Sequence, residues 1–299
     1  MANKKRKRYV QSAILLSLIT ALANSAPFVQ VIHADDRVSA HAVCPVMALS
    51  QQKGTMPLIL SSPHGASRSK KIPNYEERQG KSVPARKFLK LSDSYTDEVT
   101  WRMARHIERL TGQKPFVVAA EIHRSQIDFN RPTKWSYEHP GLNPCYEDYH
   151  HTLSAFIENI HQQWGNGLLL DVHGQSKRPK ALIRGTQNGL TVTKLRERLE
   201  MQSPQSPVLK KVSESAVDLF ALLAQQGYLT LPENGKPETL YKGGYIVRTY
   251  GSHTQQGIDA IQIEIGRDLR NSAPKRIVLA NDLARSVVQF MRTIELLKP

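Results

Sequence analysis

Two apolar runs of the chain end in the dipeptide His-Gly, and this shared ending is the feature that most constrains the fold. One run covers residues 58–62 and leads to His64-Gly65, and the other covers residues 168–172 and leads to His173-Gly174. Short continuous apolar runs are typical of strands buried on both faces of an α/β sheet. Such sheets bind ligands at the carboxyl ends of their strands. Two histidines at that edge predict a metal site between them.

Strand-like and helix-like segments alternate along the rest of the chain. Further strands are predicted at residues 116–120, 181–184, 245–250 and 261–265. Helices are predicted at about residues 94–110, 146–164, 191–199, 208–226 and 275–297. Asp93 or Ser94 is suited to cap the first of these helices. This alternation indicates a layered α/β sheet in a single domain, residues 56–299.

The N-terminal 23 residues have the pattern of a secretory signal peptide. Five basic residues at positions 4–8 precede an apolar stretch at 14–22, and Ala21-Leu22-Ala23 fits a small-x-small cleavage site. A secreted or periplasmic location is therefore expected, with an uncleaved membrane anchor as the alternative. Residues 24–55 are expected to be irregular. The two cysteines, Cys44 and Cys145, are able to pair in an oxidising compartment, but the sequence leaves their pairing open.

The chain is strongly basic, with a formal net charge of +15. Removing residues 1–23 removes five positive charges and no acid, so the charge becomes 15 − 5 = +10. Such a charge favours anionic partners. No nucleic-acid-binding motif is recognisable, so no nucleic-acid partner is expected. No stable membrane insertion is expected after signal cleavage.

Several polar residues are placed to accompany the two histidines. Glu264 is near the end of the strand at 261–265, where alternation puts it on the face opposite the isoleucines. A buried carboxylate there is suited to act as a general base. Asp171 precedes His173 by two residues and is suited to orient its ring. Arg124 and Arg131 bring guanidinium groups that suit a carboxylate or an oxyanion.

Five short motifs, taken in order, resemble the N-formylglutamate amidohydrolase family. They are Ser62-Pro63-His64-Gly65, Asp93-x-x-Thr96-Asp97, Ile127-Asp128-Phe129-Asn130-Arg131, Asp171-Val172-His173-Gly174 and Gln262-Ile263-Glu264-Ile265-Gly266. The resemblance covers residues 57–292, and the chain is more distantly similar to zinc carboxypeptidases and aspartoacylase-type deacylases. It implies a phosphorylase/hydrolase-like three-layer α/β/α fold with a mixed, largely parallel sheet. It also implies one catalytic Zn²⁺.

The resemblance assigns roles to individual residues. His64 and His173 resemble the two zinc-binding histidines, and Glu264 resembles the carboxylate that activates water. Arg124 resembles the arginine that polarises the scissile carbonyl. Asn130 and Arg131 resemble the pair that holds the substrate's α-carboxylate.

The third zinc ligand departs from the carboxypeptidase pattern. Carboxypeptidases and aspartoacylases place a glutamate three residues after the first histidine, and here that position is Ser67. The resemblance to formylglutamate amidohydrolases implies instead that the third zinc ligand is an acid at the start of the following helix. Asp93 is the first choice and Asp97 is the rival. Two histidines and one carboxylate leave a fourth position for water, as a catalytic zinc requires.

The expected function is zinc-dependent hydrolysis of an amide bond in an N-acyl amino acid or a peptide. The alternatives are a carboxypeptidase-like exopeptidase and a non-catalytic secreted binding protein with a basic surface. A metal-independent serine hydrolase is disfavoured because no Gly-x-Ser-x-Gly motif is present. The sequence does not determine the acyl group, the amino-acid preference or the oligomeric state.

Overall fold

A seven-stranded mixed sheet forms the centre of the computed structural model, which describes residues 44, 47–65, 67, 69–81, 83–202, 217–233 and 235–298. In chain order the strands are β1 (Leu49–Gln52), β2 (Leu58–Ser62), β3 (Phe116–Ala120), β4 (Leu168–Gln175), β5 (Ala181–Gly185), β6 (Leu229–Leu231) and β7 (Asp259–Gly266). Their order across the sheet is β1-β3-β2-β4-β7-β5-β6. The four central strands are parallel, whereas β1 and β5 run antiparallel to β3 and β7. The predicted mixed, largely parallel sheet is confirmed.

Helices cover both faces of this sheet. They are α1 (Thr96–Thr111), α2 (Thr133–Ser136), α3 (Asn143–Trp164), α4 (Thr193–Gln202), α5 (Val217–Gln225), α6 (Tyr245–Tyr250), α7 (Arg267–Arg270) and α8 (Ala273–Thr293). One buried cluster joins α1, α4, α5 and α8 to the face that carries Leu60, Leu170 and Ile263. A second cluster joins α3 and α6 to the face that carries Ile59 and Leu169. The three-layer α/β/α arrangement is therefore also confirmed.

The chain reverses its direction of progress across the sheet at β2. It passes from β2 through α1 to β3 on one side, and then from β3 through α3 to β4 on the other side. Right-handed crossovers in opposite directions place α1 and α3 on opposite faces. The chain leaves β2 toward β3 and leaves β4 in the other direction, toward β5, so the loops that follow these two adjacent strands diverge and leave a crevice at their carboxyl ends. His64 and His173 lie at this crevice.

Three local predictions are wrong. Residues 245–250, predicted as a strand from their β-branched and aromatic content, form helix α6. The side-chain oxygen of Asn130 accepts the N–H of Ile246 at 2.8 Å, and this tertiary contact satisfies a first-turn donor. Helix α1 begins after Tyr95, which has a left-handed conformation with φ of 67°, so neither Asp93 nor Ser94 caps it. Strand β1 lies within residues 24–55, which were predicted to be irregular.

A disulfide joins Cys44 to Cys145 and settles the pairing that the sequence left open. It ties the segment before β1 to the first turn of α3, across 101 residues of chain. Both half-cystines are buried within the cluster on the α3 face. The predicted signal peptide lies outside the described residues. Within the part of the chain that is described, no helix has the length and apolar character that a membrane span needs.

Candidate active site

Three neighbouring parallel strands carry polar residues on one face at their carboxyl ends. Ser61 of β2 pairs with Asp171 of β4, and Asp171 pairs with Gln262 of β7. Two residues further on, His173 pairs with Glu264. Because side chains alternate, the apolar neighbours of these residues face the other helical layer. One face is therefore apolar throughout, and the other becomes polar where the strands end.

His64, Asp93 and His173 form a buried group with the geometry of a metal site. The Nδ1 atoms of the two histidines are 3.3 Å apart, and Asp93 Oδ2 lies 3.0 Å from His173 Nδ1 and 3.4 Å from His64 Nδ1. Tetrahedral coordination with bonds of 2.0–2.1 Å separates ligand atoms by roughly 3.3 Å. The three donor atoms therefore have the spacing of one face of a zinc tetrahedron, and they leave the fourth corner open.

The outer nitrogen of each histidine faces an aspartate. His173 Nε2 lies 2.9 Å from Asp171 Oδ2, and this is the contact that the spacing of the two residues predicts. His64 Nε2 lies 2.7 Å from Asp128 Oδ1, a pairing that the sequence analysis did not predict. With the Nε2–H groups donating to these carboxylates, both Nδ1 lone pairs point at each other. Two lone pairs so close repel one another unless a cation lies between them, which is the usual arrangement of a metal-bound histidine pair.

The electrostatics of the site favour a positive charge at the same place. Burial alone would lower the pKa of His173, but Asp171 and Asp93 raise it well above its usual range. Burial would raise the pKa of Asp93, but hydrogen bonds with the two histidines hold it well below its ordinary value. The carboxylates around the two imidazoles favour a positive charge between them, which either a proton or a metal ion supplies. The residues therefore fit a metal ion.

Glu264 lies beside this group at the end of β7. It is buried, and burial raises its pKa to about 8, with Asp93 and Asp171 adding to the rise and His173 and Arg124 opposing it. Gln262 donates from Nε2 to Glu264 Oε1 at 2.7 Å and accepts the N–H of Gly244. Glu264 is therefore held in place by a neighbour on its own strand, and a divalent cation nearby would lower its pKa again.

Arg124 approaches the site from the loop after β3 and is tied to Asp128. Its Nε and Nη2 atoms each lie 3.0 Å from Asp128 Oδ2, and its Nη1 lies 3.6 Å from Asp93 Oδ1. Burial alone would raise the pKa of Asp128, but the charges of Arg124, His64 and Arg131 hold it well below the usual range. Asp128 therefore links the first histidine to the arginine that the resemblance places on the carbonyl.

Asn130 and Arg131 both lie at the site, with most of their polar atoms engaged. Asn130 Oδ1 accepts the N–H of Ile246, and its Nδ2 lies 3.1 Å from His173 Nε2. Arg131 donates from Nε and Nη2 to the carbonyl oxygen of Lys87, and from Nη1 to the carbonyl oxygen of Asn130. Their predicted role toward a substrate carboxylate stays a prediction.

Asp97, the rival third ligand, lies apart from the metal-binding group. It is buried in the first turn of α1, packs against Gly65 and accepts a hydrogen bond from the Ser67 hydroxyl. Asp93, in contrast, also accepts the backbone N–H of Gly174 at 3.1 Å. Since Asp93 does not cap α1, its carboxylate is available to the histidines. The geometry therefore favours Asp93 over Asp97.

Sequence reasoning missed three supports of the site. Asp128 belongs to the motif at residues 127–131, and its carboxylate contacts His64 as that of Asp171 contacts His173. No spacing along the sequence predicts the contact between Asp128 and His64. Ser61 donates to Asp171 Oδ1 at 2.8 Å and contacts the buried Tyr149 hydroxyl at 3.0 Å. Gly244 lies so close to Asn130 that a side chain at position 244 would collide with it. Only the packing of β2, α3 and the loop before α6 reveals these contacts.

The group opens onto a cavity of about 820 Å³. Two acids, Asp93 and Glu264, face six cations across it, and the cations are Arg124, Arg131, Lys177, Lys242, Arg267 and Arg270. Such a lining concentrates anions near the site. A basic cavity with a group of possible metal ligands and a buried carboxylate has the features of a candidate active site.

Solved structures share this fold. N-formylglutamate amidohydrolase from Ralstonia eutropha superposes with a TM-score of 0.57 at 18% identity, covering 84% of this chain and 99% of that one. A gene product of Agrobacterium tumefaciens superposes with a TM-score of 0.51 at 15% identity, covering 84% and 97% of the two chains. At this level of identity the likeness concerns the fold.

Comparisons of sequence give the same answer. A model of the N-formylglutamate amidohydrolase family matches residues 137–270. N-formylglutamate deformylase from Pseudomonas putida is 24% identical over 278 residues, which are 79% of this chain and 90% of that protein. These findings place the chain among the hydrolases of amide bonds. Within that class the chain is similar to N-formylglutamate amidohydrolases, and the resemblance predicted from its motifs is confirmed.

Proposed function

We propose that this protein is a zinc-dependent hydrolase that cleaves the amide bond of an N-acyl amino acid or a peptide with a free carboxylate. One observation carries the proposal: two buried histidines turn their Nδ1 atoms toward each other and toward Asp93 with tetrahedral spacing. Each histidine is backed by an aspartate, and Glu264 pairs with His173 on the next strand.

His64, Asp93 and His173 would hold the zinc ion. When bound, zinc supplies a Lewis acid for the scissile carbonyl and a water acidified toward neutral pH. Glu264, as the carboxylate, accepts a proton from the attacking water at its Oε atoms. It then delivers that proton to the leaving amine, so one buried group serves as base and acid.

Arg124 contributes at the carbonyl oxygen. Asp128 fixes its guanidinium through Nε and Nη2, and its Nη1 lies 3.6 Å from Asp93 Oδ1 and 3.5 Å from the carbonyl oxygen of Leu91, beside the cavity. A fixed cation needs no reorganisation when negative charge develops on the oxygen, and one well-placed donor contributes on the order of 3 kcal/mol. Asn130 and Arg131, to which the resemblance assigns the substrate carboxylate, are proposed to line the substrate site beside Arg124.

The substrate class and the location of the protein are further parts of the proposal. The excess of cations in the cavity supports an anionic substrate. The disulfide supports export to an oxidising compartment, in line with the signal-peptide pattern. An exported enzyme has better access to acylated amino acids and peptides outside the cytoplasm than to an intracellular metabolite.

Metal analysis joined to a substrate screen tests the proposal. The mature protein is expected to carry about one zinc per chain, and chelation should abolish hydrolysis until zinc is restored. The screen compares N-formyl amino acids, N-acetyl amino acids and short peptides. Cleavage of the acyl amino acids identifies a deacylase, and cleavage of peptides alone identifies an exopeptidase. No hydrolysis by the zinc-loaded protein would refute the proposed function.

A further inference from the structure

The arginines at the site differ in how many of their donors are already used. Arg124 directs Nε and Nη2 to Asp128 and Nη1 to the carbonyl oxygen of Leu91 at 3.5 Å. Arg131 directs Nε, Nη1 and Nη2 to backbone carbonyl oxygens. Each of these side chains is thus held by the protein on both edges of its guanidinium group. A substrate carboxylate, in contrast, is best bound by a guanidinium nitrogen that faces the cavity and has no protein acceptor.

Arg270 provides such a nitrogen. It lies on the short helix α7, directly after the strand that carries Glu264, and it lines the cavity. Its Nε donates to the carbonyl of Ile265 at 3.3 Å, and its Nη1 donates to the carbonyl of Ser94. Among the described residues, Nη2 has no hydrogen-bond acceptor within the protein. Two backbone contacts therefore fix the guanidinium and leave Nη2 as the nitrogen that a ligand would engage.

Gly174 makes room for this guanidinium beside the metal-binding group. A Cβ at position 174 would collide with Arg270 Nη2 and would lie 2.6 Å from its Cζ, so any other residue would displace the arginine. The N–H of Gly174 itself donates to Asp93 Oδ2, and His173 is the preceding residue. The guanidinium of Arg270 therefore packs against Gly174, the residue that follows His173, in the space that a side chain at position 174 would fill.

The charges around Arg270 agree with this placement. Burial lowers its pKa, and Asp93 and Glu264 oppose that shift, so the guanidinium is within electrostatic range of both acids. Only 6% of Arg270 is exposed. A cation so well buried is expensive unless an anion accompanies it. A metal bound at Asp93 would reduce the negative charge available to Arg270 from the protein itself.

We infer that Arg270 binds the carboxylate of the amino acid that leaves when the amide is cleaved, and that it thereby determines specificity for substrates with a free carboxylate. The inference rests on the proposed function, and it adds a residue that the motifs did not identify. The carboxylate is two bonds from the amide nitrogen. A cation one residue from a zinc ligand is well placed to hold it while the amide lies at the metal.

Paired substrates that differ only in this carboxylate test the inference. The most rapidly hydrolysed N-formyl amino acid of the screen is compared with its α-carboxamide. Arg270→Met is expected to lower kcat/KM for the free acid by about 10- to 100-fold, the usual range for a charged hydrogen bond. Hydrolysis of the carboxamide should change by less than about threefold. Zinc content should stay at one per chain.

Three further variants separate the possible causes. Arg270→Lys keeps the charge but loses the forked geometry, so it should fold and show an intermediate loss of discrimination. Arg285→Met removes an equal charge from an exposed position of α8 and should leave both substrates unaffected. Arg131→Met tests the competing assignment, and it is expected to retain a stronger preference for the free acid than Arg270→Met.

Several results would overturn the inference. Equal losses on acid and carboxamide in Arg270→Met and Arg270→Lys would show that Arg270 acts only by holding Ser94 and hence Asp93. Discrimination that vanishes in Arg131→Met but persists in both Arg270 variants would give the role to Arg131. If the zinc-loaded wild-type protein hydrolysed none of the substrates, the proposed function would be refuted together with this inference.

Discussion

Replacing Asp128 by asparagine should weaken zinc binding although Asp128 is not a ligand. Asp128 Oδ1 lies 2.7 Å from His64 Nε2, and Asp128 Oδ2 is 3.0 Å from two nitrogens of Arg124. It is completely buried. Asparagine keeps the shape but removes the negative charge that orients His64 and favours its binding to a cation. The same change leaves Arg124 without its carboxylate.

The structure allows two magnitudes to be separated. Loss of a carboxylate behind a metal-binding histidine typically costs 10- to 100-fold in metal affinity, which is about 1.4–2.8 kcal/mol. Breaking a buried ion pair from one side typically costs about 3–5 kcal/mol of folding stability. Asp171→Asn is the matched control, since Asp171 backs His173 but contacts a serine instead of an arginine. It should reproduce the loss of affinity with a smaller loss of stability.

Zinc affinity is measured by competition with a chelator of known affinity, and stability by urea unfolding of the zinc-free proteins. A zinc affinity for Asp128→Asn within about threefold of wild type would refute the orienting role of Asp128. Equal destabilisation by Asp128→Asn and Asp171→Asn would refute the view that Asp128 also anchors Arg124. Retention of native circular dichroism ensures that both comparisons concern folded protein.

Four further predictions concern catalysis, metal binding, pH and the disulfide. Glu264→Gln should lower kcat by about 10²- to 10⁴-fold with zinc retained, and loss of zinc would contradict its role as a base. His64→Ala or His173→Ala should leave purified protein with well under one zinc per chain by elemental analysis; full occupancy in both would exclude the site. The charge of Asp128 stabilises the zinc-free fold above its ordinary pKa near 4, because its pKa in the folded protein is lowered. The stability difference between wild type and Asp128→Asn should therefore shrink as pH falls below about 4 in urea titrations; a constant difference would contradict this. Cys44→Ser with Cys145→Ser should reduce the free energy of unfolding by about 4.7 kcal/mol, as expected for a closed loop of about 100 residues, and an unchanged midpoint in urea would argue against the bond.

Much of the fold follows from patterns that survive in any tertiary context. Buried parallel strands are continuous apolar runs, so the sequence alone predicts strands at residues 58–62, 116–120 and 168–172. Helix α6 was mistaken for a strand because its residues have high β-propensity, and that preference is easily overridden by packing. Asn130, more than one hundred residues away, supplies the acceptor that stabilises its first turn. No local pattern contains that contact.

The site shows the same division. Strand alternation already placed Asp171 behind His173 and put Gln262 and Glu264 on one face, because these relations lie within one strand. The partner of His64 and the choice of Asp93 over Asp97 depend on how a loop, a helix start and a strand end converge. Spacing along the chain does not encode such distances, so sequence reasoning left the ligand open and missed Asp128.

By itself, the sequence determined that two histidines would reach the carboxyl edge of a parallel sheet and that a carboxylate would accompany them. It did so because strand periodicity and apolar runs are local properties. Only the tertiary structure decided the order β2-β4-β7, which brings the three strand ends together. Only the tertiary structure aligned two Nδ1 atoms with Asp93, and set Arg270 over Gly174. These contacts depend on the packing of segments remote in sequence, which buries their charges together and makes their geometry specific.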